Sequence, residues 1–544
     1  MAEGRARQDS VTIVGAGIAG MTAALRLLDA GFDVTVLETL DRVGGKFGAV
    51  SGGGVYHEHA YHFLADWCLN FWKLARRIGL KSENFVRRDS IKFLRPKGLH
   101  HRPGQYEFHE LKHGSSIASF WENVYAGVIP PDDMLAYTYS LLDLLTTRDV
   151  DPDELEFLNR NSVNGFMRSR RYMTNLAALL HQEALLKAFA VPSYDTSVRS
   201  YRTFLRYFGR DSGGWILKGD CQRAFWDPFL RTLRRYTGRQ GTPRFDLRLG
   251  ATLERIDVER VAHHPRQARV TGIEVQGHGM MQPRHLILAI PYDKVFRLVE
   301  RNALLCKYLP DLLELRKLRS RQMASLDLYF RKPLPGIPPE HVTLIDDSNL
   351  KRPASLADDG DIASTYGLSF VDNHQAWKGG RRQTWLNVVS ADFDQLAGLD
   401  TAAARRRILT ELHKYLDFED ADIDPDRSHF EPNADAKLFA NTVGSWQFRP
   451  ETRTDRPEYK DRLVHSRITN LYLAGDYCRS KIDLVCLEGA VTTGIAAARA
   501  IAEKAKARVD APLVPPDVSR RECEQAKAAL APWLALAAKG RTLA

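Results

Sequence analysis

The sequence predicts an α/β fold on a parallel sheet that binds a dinucleotide, joined to a second part of mixed strands and helices. Three observations predict it. An apolar strand-like run, Val11 to Val14, enters the turn Gly15-Ala16-Gly17-Ile18-Ala19-Gly20. A helix-like stretch over 21–30 follows, which Gly31 can end, and a second apolar run over 33–37 stops at the acid Glu38. Far along the chain, an apolar run from Asn470 delivers Gly475-Asp476, and Leu487-Glu488-Gly489-Ala490-Val491 opens another helix. The first two form a βαβ unit of the Rossmann type.

Each part of the unit has a physical task. Gly15 allows the tight turn, Gly17 lets the backbone approach a pyrophosphate, and Gly20 lets helix and strand pack closely. Ala16, Ile18 and Ala19 carry the turn into the helix, whose N-terminal N–H groups and dipole face the phosphates. Glu38, followed by Thr39, lies where a carboxylate can accept from ribose hydroxyls. Next come Arg42, Gly44, Gly45 and Lys46, two cations with two glycines, which suit a loop over the same pyrophosphate. In the late motif, Asp476 can accept from a ribityl hydroxyl, and the helix from Glu488 turns its positive end to a site where negative charge appears on reduction.

The stretch His57-Glu58-His59-Ala60-Tyr61-His62 offers three histidines and a glutamate. A metal site is one reading, but no distant cluster completes it, so no metal is expected. Helical runs dominate 90–240: 134–146, 163–168, 173–189, 199–208 and 221–236. Strands return at 247–256 and 270–275, a hairpin-like pair, and at 286–291, which ends in Pro291. Further strands are expected at 323–330, 368–371, 385–390 and 437–448, around a helix at 401–416. A second sheet with covering helices fits a substrate domain. After a Pro-rich link, 519–539 reads as an Ala-rich helix.

With 544 residues the chain exceeds one ordinary core. The six cysteines are scattered, without CxxC or zinc-finger spacing, and imply a reducing compartment. Formal net charge is +10. Arginines crowd the region 160–239 among aromatic residues and few acids, which suits an anionic membrane surface as well as a solvated basic face. No nucleic-acid motif is present. No run has the length and apolarity of a membrane span, and residues 1–9 lack a signal-peptide core, so the expectation is cytoplasmic, peripheral to a membrane.

The fingerprint, Glu38 and Arg42-Val43-Gly44-Gly45-Lys46 together resemble the FAD-binding start of the phytoene desaturase and flavin amine oxidase superfamily, and the stretches GLSFVDNHQAW (367–377) and TWLNVVSADF (384–393) resemble the middle of its plant and cyanobacterial phytoene desaturase branch, the closest one. The resemblance implies non-covalent FAD, bound by a domain in three pieces (1–89, 241–300, 460–510). These are interleaved with a helical substrate- or membrane-facing region (90–240) and a substrate domain (301–459), with a helical tail (511–544). It implies that Tyr61 and His62 run close to the flavin ring, with Ala60 where relatives carry glycine. It also places Leu253 by the adenine, Ala289 and Pro291 by the ribose and pyrophosphate, and the N–H near Leu487 on the flavin carbonyl edge. The function implied is desaturation of a long hydrophobic, isoprenoid- or carotenoid-like substrate by hydride transfer to flavin N5, with a quinone as acceptor. His59 and His62 are the candidate acid–base residues. Alternatives are an amine oxidase using oxygen, an isomerase or hydratase that needs reduced FAD without net turnover, and a non-catalytic FAD-binding protein.

Overall fold

The computed structural model describes residues 10–58, 60–96, 106–113, 117–209, 213–345, 366–378, 383–432, 438–439, 441–455 and 467–543. Its organising element is a five-stranded parallel sheet in the order Phe245–Leu249, Asp33–Glu38, Ser10–Val14, His285–Leu288, Leu471–Leu473. Val14 pairs with Leu37 on one side and Leu288 on the other, and Leu288 pairs with Leu473, so these strands end together. That common C-terminal edge is where open α/β sheets bind ligands.

Both faces of this sheet are covered, as parallel sheets require. On one face the helices Ile18–Asp29 and Leu487–Lys504 cross so closely that a Cβ on Gly494 would sit 2.3 Å from the Ala19 carbonyl oxygen. The other face packs on the hairpin Leu253–Val261 with His264–Val275 and on the helix Tyr292–Glu300. The strand read from the sequence over 247–256 is therefore two strands. Gly250, at φ +69°, breaks it: Phe245–Leu249 adds parallel to the sheet, and Leu253–Val261 turns into the hairpin.

A second, seven-stranded sheet has the order His429–Pro432, Ala324–Tyr329, Trp385–Ser390, Leu368–Asp372, Val342–Leu344, Ser90–Pro96, Tyr106–Lys112. Every residue of its strands Ala324–Tyr329, Leu368–Asp372 and Trp385–Ser390 is buried, and the helix Thr401–Leu412 joins its core. The last two strands form a hairpin inside the region expected to be helical. Their alternation, Ile91 and Phe93 around Lys92, was outweighed by the long helical runs that follow. The segment 437–448 is less regular than the expected strand: it holds a two-residue strand, Leu438–Phe439, and a single turn, Trp446–Phe448.

The helices Pro131–Thr146, Val163–Arg168, Asn175–Phe189 and Val198–Phe208 form where periodicity places them. Ser162, Thr174 and Ser197 cap three of them by accepting first-turn N–H groups. The run 221–236 departs from one regular helix: it begins as a π turn, Gln222–Trp226, and continues as Asp227–Leu233. The last helix, Arg520–Leu543, packs along Pro131–Thr146 through Leu534 and a Lys527–Asp143 ion pair.

The arginine-rich region is not a bare basic face. Arg202 is buried, bonded to Asp149 and the Leu144 carbonyl. Arg206 pairs with Asp149 and Asp517, Arg199 with Asp483, and Arg170 with Asp143. Their acids are remote in sequence, so the local count of charges missed them. Among the described residues, no helix is long and apolar enough to cross a membrane, and no group of His, Cys, Asp or Glu could hold a metal ion.

Candidate cofactor and active site

The glycine turn is shaped by its neighbours at two positions and by something else at the third. Gly15 lies at φ +107°, and a Cβ there would stand 2.4 Å from the Ala289 carbonyl oxygen. A Cβ on Gly20 would stand 2.0 Å from the Gly15 carbonyl oxygen. At Gly17, φ is an ordinary −77°, and a Cβ would meet nothing nearer than 3.9 Å. The protein does not itself require glycine at 17, and the space a side chain would fill suits the pyrophosphate that the fingerprint predicts. This open cradle is the fit expected for a dinucleotide.

The second loop lies backbone to backbone on that turn. Gly17 and Gly44 form a bridge, and Gly44 N–H donates to the Ala16 carbonyl at 3.0 Å. Gly44 and Gly45 take φ +133° and +57°, and a Cβ on Gly45 would press on Gly17 at 3.3 Å. From this loop Lys46 reaches Asp476, Nζ to Oδ2 2.7 Å, so all three motifs converge. Arg42 instead pairs with its neighbour Asp41. Glu38 accepts from the N–H of Ala16 at 2.7 Å and of Leu40 at 3.0 Å, which ties the strand end to the turn while leaving lone pairs for a ribose. Thr39 follows in the bend. Leu253 packs with Val14 and Leu37, and Ala289 N–H donates to the Val14 carbonyl at 2.8 Å. Exposed Pro291 starts the helix Tyr292–Glu300.

In the late motif, Thr493 fixes Gly475: its hydroxyl oxygen accepts from Gly475 N–H and donates to the Gly475 carbonyl, both at 3.0 Å. Leu487 is the first residue of its helix, with Cys486 Sγ capping Gly489 N–H. Glu488 and Val491 have another role than cofactor contact. Both are 0% exposed with the cradle open, so neither offers surface to a ligand. The Glu488 carboxylate accepts from Asn70 N–H at 2.8 Å, Asn70 Nδ2 at 2.7 Å and Phe71 N–H at 2.9 Å, capping the helix Leu69–Arg77. Burial pushes its pKa up to about 7, against the pull of these donors. Val491 belongs to the core, Ala490 is buried beside it, and fully buried Ala16 offers only its backbone.

Beyond the loop lies a small cavity lined by Phe47, Glu58, Tyr61, His62, Leu64, Ile216, Leu217, Trp377 and Asn387, among others. His59 lies outside the described residues. His62 spans from the Lys46 carbonyl (Nε2, 3.2 Å) to Glu58 (Nδ1 to Oε2, 3.4 Å) and stands edge-on to Phe47 at 4.6 Å. The other Glu58 oxygen accepts from Cys221 N–H at 2.7 Å, where the π turn begins. The Tyr61 hydroxyl bonds His341 and Ser369, and burial raises its pKa. His341 is kept neutral by burial and by the Lys187 charge, with its pKa lowered to about 3.

The whole segment hangs from the second sheet. Asn387 accepts from Tyr61 N–H at 3.1 Å and donates to Asp327 at 2.6 Å, and Ser325 donates to the Glu58 carbonyl at 2.9 Å. Asp327 also pairs with buried His57 at 2.8 Å. The sequence singled out Glu58 only as a metal-ligand candidate, and it missed Asn387, Asp327, His341 and Thr493. The alternation of Ser325 and Asp327 within Ala324–Tyr329 was the available signal for one of them.

The sequence pattern described as flavin containing amine oxidoreductase matches residues 18–502. Zeta-carotene desaturase of Synechocystis is 34% identical over 102 residues, 19% of this chain and 20% of that one. Putrescine oxidase of Kocuria rosea is 34% identical over 91 residues, 17% and 19% of the two chains. Phytoene dehydrogenase of Streptomyces griseus is 54% identical over 46 residues, 8% and 9%. These stretches span a fifth or less of the relatives. Solved structures share the fold over nearly their whole length: an oxidoreductase from Methanosarcina mazei (TM-score 0.62, 13% identity, 90% of this chain and 99% of that one) and putrescine oxidase bound to putrescine (TM-score 0.58, 15% identity, 92% and 99%). The cradle takes the dinucleotide half and the family supplies the flavin half of FAD, and since the pattern spans all three cradle pieces and the second sheet, the chain belongs to the flavin-containing amine oxidoreductases.

Proposed function

We propose that the protein dehydrogenates a long hydrophobic, isoprenoid- or carotenoid-like substrate, forming a double bond, and passes the electrons to a quinone at an anionic membrane surface. The observation that carries the reading is the cavity beside the second loop, with walls from Phe47, Leu64, Ile216, Leu217 and Trp377. This apolar wall suits a hydrocarbon, and Glu58, Tyr61, His62, Asn373 and Asn387 line the rest. The stretches shared with zeta-carotene desaturase and phytoene dehydrogenase support it.

When bound, FAD supplies the hydride acceptor. Gly17, Gly44 and Gly45 give close backbone approach, Glu38 meets the ribose, and Lys46 with Asp476 sets the charge between pyrophosphate and cavity. Phe47 and Leu217 exclude water. Tyr61 and Asn387 fix the cavity wall, and His62 stands ready to hold a proton at Nδ1.

Membrane contact has its own support. Tyr125 (71% exposed), Trp533 (53%) and Leu536 (62%) present apolar surface, and Trp121 stacks on Tyr125 and meets Trp533 edge-on. Tyr and Trp favour the lipid–water interface. Exposed Arg171 and Arg234 could meet anionic headgroups.

A second reading, amine oxidation by oxygen, is favoured by the Glu58 carboxylate in the cavity, which would suit an ammonium, and by the putrescine oxidase relative. Mixing the holoprotein anaerobically with zeta-carotene or phytoene in anionic liposomes, and separately with putrescine, decides between them. We expect the carotenes to bleach the flavin and putrescine to leave it oxidised. Bleaching by putrescine alone would replace the first reading by the second.

A further inference from the structure

We propose that Glu58 and His62 share one proton and form the acid–base group of the cavity, with Glu58 taking the proton that the substrate gives up. The inference rests on the dehydrogenation reading above for its chemistry, and on hydrogen-bond geometry for its residues.

The Lys46 carbonyl is an acceptor only, so His62 Nε2, 3.2 Å away, carries hydrogen. A neutral ring would then turn the lone pair of Nδ1 toward Glu58 Oε2 at 3.4 Å, two acceptors facing each other. One proton between them removes the conflict. The pair is held for this. Glu58 Oε1 takes the Cys221 N–H at 2.7 Å, its backbone carbonyl takes Ser325 Oγ at 2.9 Å and Asn387 Nδ2 at 3.4 Å, and His62 packs on Phe47.

Two further carboxylates face the pair. Asp220, one residue before Cys221, and Asp327, on the second sheet with His57, are both carboxylates whose own pKa values are raised by burial and by the Glu58 charge. The Cys221 thiol is pushed up as well. Lys46 and Arg223 are nearby cations, paired with Asp476 and Asp220.

The chemistry needs only a weak base here. Bound FAD would supply the hydride acceptor, and a hydrocarbon that gave up a hydride, with its electron pair, would carry positive charge on carbon. That charge makes the adjacent C–H acidic. Its proton passes to Glu58 Oε2 while the C–H electrons become the double bond. The carboxylate also stabilises the positive charge as it develops. The pair returns the proton to solvent between turnovers.

Glu58→Gln keeps the acceptor for Cys221 N–H and gives His62 Nδ1 an N–H donor, but removes the charge. The probe is N,N-dimethyldodecylamine, an ammonium at neutral pH, with dodecanol as the neutral control. Binding is read from the visible flavin spectrum of the holoprotein without turnover. We expect Glu58→Gln to weaken the amine by about tenfold to a hundredfold, the range for a bond to a charged group, and dodecanol not at all.

Equal amine affinity in wild type and Glu58→Gln overturns the inference. Unchanged dodecanol binding and flavin spectrum show that the variant is folded, so misfolding does not rescue it. A separate arm follows anaerobic bleaching by zeta-carotene, expected to slow about a hundredfold or more in Glu58→Gln. Failure of zeta-carotene to bleach the wild type sinks the desaturase reading alone, since the amine arm still judges Glu58.

Discussion

Glu38 carries two backbone N–H groups before any ribose reaches it, so its removal acts twice. Glu38→Ala takes the acceptor from Ala16 N–H in the turn and from the ribose hydroxyls. We expect a loss of about 1.5–3 kcal/mol in FAD affinity, the range for hydrogen bonds to a charged group, with turnover at saturating FAD little changed. Titrating the apoprotein with FAD measures it, and unchanged affinity would remove Glu38 from the ribose. Glu488 shows the limit of motif reading. Its place beside Gly489 and Ala490 resembles a cofactor contact, yet its partners Asn70 and Phe71 lie 418 and 417 residues away in sequence. Its pKa stands raised in the folded state, from 4.5 to about 7, so the folded protein holds a proton that the unfolded chain has lost. That contribution is full below the ordinary value and disappears as pH rises through about 7, by about 3 kcal/mol at most. Glu488→Gln lacks this dependence and turns an amide N–H toward other donors, costing about 1–3 kcal/mol. The gap in melting temperature between variant and wild type should therefore narrow from about pH 5 to pH 8. A gap that stays level would mean that Glu488 is ionised throughout.

At the scale of elements, the three glycines of the fingerprint part company. Gly20 is fixed by the turn that leads into its helix and Gly494 by helix packing, since a Cβ would strike the Gly15 and Ala19 carbonyl oxygens at 2.0 and 2.3 Å. Gly17 meets no such obstacle. Gly17→Leu should fold and melt near the wild type yet purify without FAD, whereas Gly494→Leu should be destabilised by about 1–3 kcal/mol or more, the cost of overpacking. Circular dichroism melts beside flavin absorbance separate the two, and full FAD in Gly17→Leu would reject the cradle. The βαβ unit and the late motif were legible because each is a local pattern: strand, turn, helix, acid. The split at Gly250 was not, because a single glycine in an apolar run reads equally as a bulge. Glu58 stood out in the sequence, but its role did not, because its support comes from Cys221, Ser325 and Asn387, on three elements that only the tertiary fold assembles.

At the scale of the molecule, the chain leaves the cradle sheet twice and returns twice, so each departure must be pinned where it rejoins. The segment from His57 to His62 is one such pin, bonded to the second sheet at Ser325, Asp327 and Asn387. The loop after Asp476 is another: Arg449 donates to the carbonyls of Cys478 at 2.8 Å and Tyr477 at 3.3 Å, and Asp483 gathers Arg449, Arg199 and Trp446. With these arginines engaged internally, attraction to an anionic bilayer has to come from the cations left at the surface, and depth of contact from Tyr125, Trp533 and Leu536. The two contributions separate with salt. Charge attraction is screened over roughly 10 Å at 0.1 M salt, while insertion of rings is not. We expect the protein to float with vesicles of anionic lipid at low salt, to float less in high salt, and to bind neutral vesicles weakly. Trp533→Ser should reduce flotation under every condition, since the indole offers its apolar ring to the acyl boundary and nothing else replaces it. Equal absence from anionic and neutral vesicles would leave these exposed rings as surface without lipid, and the substrate would then have to reach the cavity from solution or from a carrier.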